Sequence, residues 1–190
     1  DPHLADGRII AELARSELPA EVCLLSEALE ACAARRLGVN VEIKCLPGEP
    51  DVDRASEVTD GVLALLSGPH KLAAVAGIDV LVTSFWPQTL EVVRARAPEL
   101  RTGQLLLELG EGALSVEGIA AAGHVAVNPW DATVTPEVVG AAHARALAVN
   151  VWTVDDPARL RQLASMGVDG LITNTPAAAR AALADATAGG

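Results

Sequence analysis

Six short runs of nearly unbroken apolar residues recur along the chain at an almost constant step, and that step limits the possible folds more than any other feature. The runs are Val39–Lys44, Asp79–Phe85, Gly103–Leu109, His124–Pro129, Val149–Val154 and Gly170–Asn174. With Ile43, Val82, Leu106, Val127, Val151 and Ile172 as centres, the gaps are 39, 24, 21, 24 and 21 residues. Their length and β-branched content read as strands, and apolarity on both faces reads as a parallel sheet covered on both sides. Stretches with helical spacing of Leu, Val and Ala flank and separate them: Leu25–Leu37 ahead of the first run, then Pro87–Ala97, Pro136–Ala146, Pro157–Met166 and Pro176–Ala186. The last four carry Pro in the first turn, where its missing N–H costs nothing. Even βα steps without a break in composition predict a (β/α) barrel over an open sheet. A full barrel takes eight strands and ~250 residues; this chain has 190 residues and six predicted strands, with none convincing in Asp1–Leu24. The expected fold is α/β: a (β/α)8 TIM barrel truncated to about six βα units, the first two strands missing, in one partial domain over residues 1–190.

Composition narrows the partners. With 14 basic and 25 acidic side chains the net charge is −11, which disfavours nucleic acid or an anionic membrane surface as a partner. No apolar run reaches the ~18 residues of a membrane span. Three Trp, one Phe and no Tyr leave an aliphatic core. Cys23, Cys32 and Cys45 make neither a disulfide framework nor a zinc knuckle; Cys23 and Cys32 read as small core residues. This cysteine usage leans towards a cytoplasmic setting, while a chain opening on Asp1 leaves secretion open. The sequence leaves the oligomeric state open.

The first strand holds the strongest anomaly. Side chains alternate along a strand, so Val39, Val41 and Ile43 share one face and Asn40, Glu42 and Lys44 the other. The apolar set should meet the helices and the polar set point into the barrel, near the carboxyl end where barrel enzymes place their sites. Burying Glu42 and Lys44 is costly unless they are paired, hydrated or bound to a metal. An ion pair plugging the barrel and a working site are the two readings.

V-N-V-E-I-K at Val39–Lys44, V-T-S-F-W-P-Q-T-L from Val82, the V-T-P-E-V-V-G-A-A-H-A-R-A-L-A-V-N-V-W-T-V block and G-V-D-G-L-I-T-N-T-P resemble the glycerophosphodiester phosphodiesterase family, over about 150 residues in the family's order. The resemblance implies a TIM barrel of the phosphodiesterase type and a phosphoric diester hydrolase. Such an enzyme splits glycerophosphodiesters into an alcohol and glycerol 3-phosphate, in glycerol and lipid metabolism. It implies a divalent cation, Mg2+ or Ca2+, held by carboxylates, two histidines as general acid and base, and a small-molecule substrate. By position, Glu42 matches the metal-binding Glu, Lys44 the Lys beside the phosphate, and Trp152 the aromatic at the barrel mouth. A hard cation takes oxygen ligands, Lys offers a compact charge to phosphate, and a Trp face packs against glycerol carbons.

The family's H-R-G, P-E-N-T, E-x-D and H-D segments have no counterpart here. They carry both histidines and two metal-binding carboxylates, so no catalytic residue is expected within this chain, which should be inactive by itself. D-P-H-L-A-D-G-R resembles the stretch after the family's catalytic His, with Asp1 as the Asp of H-D; His3 is a poor stand-in. His143 reads as helix packing, His70 and His124 as lone loop or strand-edge residues, and Ser84, Asn128 and Asn150 as polar lining of the mouth. Glu49, Asp51 and Asp53 read as a solvated acidic loop. Ala146 stands where relatives often have Gly. Gly110–Ser115 nearly spells a dinucleotide fingerprint, with Asp131 falling 19 residues after Gly112, but Ser115 replaces its third glycine. Alternatives are a non-catalytic binding barrel and a phospholipase-like relative acting on lipid phosphodiesters.

Overall fold

A strand falls on each of the six apolar runs, each shorter than its run, with β3 and β5 beginning two residues and one residue ahead of theirs. The computed structural model describes residues 3–44, 55–69 and 71–187, so Asp1, Cys45, Glu49, Asp51, Asp53 and His70 lie outside the described residues. The strands are β1 Val39–Glu42, β2 Val80–Ser84, β3 Arg101–Leu106, β4 Ala126–Pro129, β5 Ala148–Val151 and β6 Gly170–Leu171. They alternate with α1 Leu25–Ala33, α2 Ala55–Leu66, α3 Pro87–Arg96, α4 Val116–Ala121, α5 Pro136–His143, α6 Pro157–Ser165 and α7 Pro176–Thr187. Among the described residues no helix is long and apolar enough to cross a membrane.

The chain divides into two compact units, Asp1–Arg101 and Thr102–Gly190. In the first, β1 pairs in parallel with β2, placing Val41 beside Val82 and Glu42 beside Thr83. Val41, Ile43, Val80 and Val82 form one apolar cluster with Leu29, Leu63, Leu66, Leu90 and Val93 from α1, α2 and α3. In the second, β3 pairs with β4, β4 with β5 and β5 with β6, all parallel. Val127, Val149 and Val151 pack there with Ile119, Val139, Leu160 and Leu163 from α4, α5 and α6. Each cluster lies between strands and helices and is wholly aliphatic, as the scarcity of aromatic residues requires.

Helix starts follow local chemistry. Pro opens α3, α5, α6 and α7, and Asp156 caps α6 by accepting from the Arg159 N–H at 2.7 Å, satisfying an N–H that lacks an intrahelical partner. Ser115 caps α4 by accepting from the Gly118 N–H at 3.0 Å. The near-fingerprint at Gly110–Ser115 is therefore a 3₁₀ turn leading into a capped helix. Gly118 has no substitute here, because a Cβ would sit 2.0 Å from the Gly112 carbonyl oxygen. Ala146 follows α5 with φ of +57°, a left-handed position that costs an alanine about 1–2 kcal/mol and explains a preference for glycine there.

Cys23 is exposed and Cys32 half-buried, so neither is the core residue expected. Cys23 falls just before α1 rather than within it.

Candidate active site

The alternation predicted for the first strand is present. Val41 and Ile43 are buried among the helices, whereas Asn40 and Glu42 are exposed on the opposite face and Lys44 is half-buried just past the strand end. Among the described residues Glu42 and Lys44 form no ion pair with one another. Asn40 is held in place by the Thr83 hydroxyl, which donates to its Oδ1 at 3.0 Å. Glu42 thus presents a carboxylate at the carboxyl end of β1, on the side turned away from the helices.

Ser84 differs from expectation. It is buried, its hydroxyl donates to the Ile43 carbonyl at 2.7 Å and accepts from the Trp86 N–H at 3.1 Å. That hydroxyl ties the end of β1 to the start of α3 instead of lining an open mouth.

In the second unit, the face opposite the helices carries Leu105, Asn128, Asn150 and Gly170 in adjacent register positions. Asn128 and Asn150 occupy the inward positions expected of them, and the Asn150 amide donates to Asn128 Oδ1 at 3.4 Å. Asn128 is fully buried, and its Nδ2 has no hydrogen-bond partner among the described residues. Trp152 lies directly after β5, half-buried, with its indole N–H donating to the Asn128 carbonyl at 2.7 Å. Its ring is therefore fixed over the end of β4 by a bond that a free rotor would lack.

The turns beyond these strands are braced by carboxylates. Asp155 accepts from the Thr173 hydroxyl at 2.7 Å and from the backbone and side-chain N–H groups of Asn174 at 2.8 and 2.9 Å, joining the turns after β5 and β6. The Thr173 hydroxyl and then the Asn174 amide hold its carboxyl below the ordinary value of 3.8. A lowered carboxyl contributes stability above its unfolded value and loses it as pH falls through the folded one. Asp155→Asn is accordingly expected to flatten the decline of thermal stability on acidification below about pH 4. Melting temperatures across that range check this, and parallel acid limbs for the two proteins would refute it. Asp131, after β4, pairs with Arg159 at 2.5 Å, and Arg159 also donates to the Asp131 carbonyl at 2.8 Å.

The described histidines lie elsewhere. His124 precedes β4 and is buried, its Nδ1 2.8 Å from the Thr102 hydroxyl. His143 ends α5 and meets Asp169 at 2.9 Å, while Asp169 accepts from the Val149 N–H at 2.8 Å. Burial raises the Asp169 carboxyl, but the Val149 N–H and His143 together hold it below the ordinary value. Both contacts sit at the amino-terminal ends of strands, the stabilising end of a barrel. His3 forms a bridge with Ile9 near the chain's start.

A divalent cation of the Mg2+ or Ca2+ type needs about six or more oxygen ligands, several of them carboxylates. Glu42 fits one such position by donor type and placement. Among the described residues no three His, Cys, Asp or Glu side chains gather into a metal site, so these residues alone do not complete one.

Parallel βα units, with polar and aromatic groups collected just past the strands' carboxyl ends, define a domain of the (β/α)-barrel class. The chain belongs to the glycerophosphoryl diester phosphodiesterase family, whose model matches residues 4–178. It is 27% identical to a glycerophosphodiester phosphodiesterase of Caldanaerobacter subterraneus over 156 residues, 77% of this chain and 62% of that protein. A solved Silicibacter pomeroyi structure assigned to the glycerophosphoryl diester phosphodiesterases is 29% identical with a TM-score of 0.69, covering 86% of this chain and 56% of that one. An Oleispira antarctica phosphodiesterase, solved with the product sn-glycerol-3-phosphate, superposes with a TM-score of 0.77 at 19% identity, over 97% of this chain and 77% of that one. The fold is thus the phosphodiesterase TIM barrel, truncated to six βα units. The chain spans about three fifths of the length of the Caldanaerobacter and Silicibacter relatives.

Trp130 escaped the sequence reading. It lies directly after β4, 45% exposed, and bridges Trp152 in parallel. The signal was available: the alternation that turns Asn128 away from the helices continues through Pro129 to Trp130.

Proposed function

We propose that the protein to which this chain belongs is a metal-dependent phosphodiesterase that hydrolyses glycerophosphodiesters to an alcohol and glycerol 3-phosphate. In this reading the chain forms one partial barrel domain, works in the cytoplasm and contributes Glu42, Lys44 and Trp152 to the site. The observation carrying it is the family match across residues 4–178 together with an exposed Glu42 on the face of β1 turned away from the helices.

Each residue has a physical task. Glu42 is one oxygen ligand for the cation, Mg2+ or Ca2+, which when bound polarises a phosphoryl oxygen. Lys44 brings a compact ammonium to a phosphate oxygen and offsets its charge. Trp152, its indole N–H engaged by Asn128, lays an immobilised apolar face against glycerol carbons. The groups that move protons are not supplied by this chain in this reading, so it should be inactive alone. The sn-glycerol-3-phosphate in the Oleispira relative supports a small phosphorylated polyol as the ligand class.

A second reading is a barrel that binds without catalysing, in which Glu42 and Lys44 hold no cation or phosphate. Release of glycerol 3-phosphate from a glycerophosphodiester separates the two. The full-length protein is expected to turn over and to lose activity on chelation, regaining it with Mg2+ or Ca2+. The 190-residue chain is expected to show no appreciable turnover. A full-length protein that neither turns over nor binds a divalent cation would establish the binding module instead.

A further inference from the structure

Each of the three tryptophans stands just beyond a strand's carboxyl end: Trp86 after β2, Trp130 after β4 and Trp152 after β5. Three hydrogen bonds tie Trp152 to the end of β4. Its indole N–H donates to the Asn128 carbonyl at 2.7 Å, its backbone N–H donates to the Pro129 carbonyl at 3.3 Å, and its own carbonyl accepts from the Asp131 N–H at 2.8 Å. Where Trp152 sits is therefore decided by how firmly the turn after β4 is held. Arg159, in the first turn of α6, holds that turn. It pairs through Nε with Asp131 Oδ1 at 2.5 Å, and its Nη2 donates to the Asp131 carbonyl at 2.8 Å and the Val134 carbonyl at 3.4 Å. Its Nη1 donates to Gln162 Oε1 at 2.8 Å, and Asp156 accepts from its backbone N–H at 2.7 Å, so the guanidinium is itself anchored. The side chains of Arg159 and Asp131 are only 23% and 26% exposed.

We propose that Arg159 is a positioning residue for the glycerol half of the substrate, acting through Asp131 on Trp152. This deepens the phosphodiesterase reading and rests on the task given there to Trp152. Stability alone is a poor reason for the arrangement, because an ion pair of this kind adds little net stability and apolar side chains could cover the same turn. What a guanidinium adds is direction: its planar fork fixes several acceptors at once, which an ammonium or an apolar side chain cannot do. The acceptors here are the carboxylate and two carbonyls of one turn, Asp131 to Val134. The Asp131 N–H is thereby aimed at the Trp152 carbonyl, and the ring is ordered before a ligand arrives, so binding does not have to order it.

The test follows inhibition of the full-length, cation-loaded enzyme by two probes: sn-glycerol 3-phosphate, which carries the glycerol carbons, and inorganic phosphate, which lacks them. Arg159→Met keeps an unbranched stem and removes the fork. It is expected to raise the inhibition constant of sn-glycerol 3-phosphate about ten-fold, the size of one lost apolar contact, and that of phosphate less than about two-fold. KM for the diester should rise in step while kcat changes little. Arg159→Lys, which keeps the charge beside Asp131 without the fork, should fall between, and it carries the test if the methionine variant does not fold. In a Trp152→Ala background Arg159→Met should add no further loss, because both act through one ring. Arg145→Met breaks the ion pair to Glu117 ahead of β5; it controls for general loosening and should leave both inhibition constants unchanged. Equal losses for the two probes, no loss for either, additive losses in the double variant, or a fall in kcat alone overturns the positioning role and leaves the phosphodiesterase reading standing. A wild-type protein that neither hydrolyses a glycerophosphodiester nor binds sn-glycerol 3-phosphate overturns both.

Discussion

Glu42→Gln in the full-length enzyme is expected to lower turnover about a hundred-fold or more without unfolding the protein. The substitution keeps size and shape but removes a charged oxygen ligand, and a hard cation loses far more from that than the fold does. Glu42 is exposed, and its chain neighbours, not its own carboxylate, hold the strand: Val41 in β1 and Ile43 just past its end are buried in the apolar cluster. The Asn40–Thr83 hydrogen bond is likewise independent of it. Turnover at several cation concentrations, with circular dichroism as the control, checks the claim. Partial recovery at raised Mg2+ or Ca2+ would mark Glu42 as a ligand. Normal turnover with normal cation dependence would remove it from the site.

The largest loss of stability is expected from Leu163→Ala. Leu163 is fully buried on α6, in the cluster that joins β4 and β5 to α4, α5 and α6. Its removal leaves a cavity that surrounding side chains refill only partly, at about 2–5 kcal/mol, a large share of the ~5–15 kcal/mol that holds a domain folded. The variant should unfold at markedly lower urea concentration with an unchanged slope. A loss under about 1 kcal/mol would mean that the site collapses around the smaller residue.

Much of the fold was legible because buried parallel strands leave so plain a trace. Runs such as Val149–Val154 are apolar on both faces, and Pro at the head of α3, α5, α6 and α7 marks where each helix begins. Strand ends were less legible, since a strand lasts only as long as its neighbour's register: β6 keeps two residues of the run Gly170–Asn174. Two helices were not anticipated. In α2 a glycine, two threonine or serine residues and two acidic side chains dilute the helical pattern, and its burial comes from Val62, Leu63 and Leu66. In α4 only six residues are helical, too few for periodicity to speak, and the glycines ahead of it resemble a loop. At the site, alternation alone put Glu42 and Lys44 on the face away from the helices. Trp152 was singled out by family likeness; alternation reaches Trp130 as well, but its pairing with Trp152 needed the bridge between two strand ends, which spacing along the chain does not reveal.

The placement of the rings has an optical consequence. Since every indole lies past a strand end and both apolar clusters are aliphatic, ultraviolet emission from this protein is a gauge of its strand-end turns and is blind to its interior. Ligands arriving near Trp130 or Trp152 should shift that emission strongly while the far-ultraviolet dichroism stays still. A variant weakened deep among the leucines would show the reverse: helix signal lost early in a melt, ahead of any tryptophan reporting more than the loosening of its own turn.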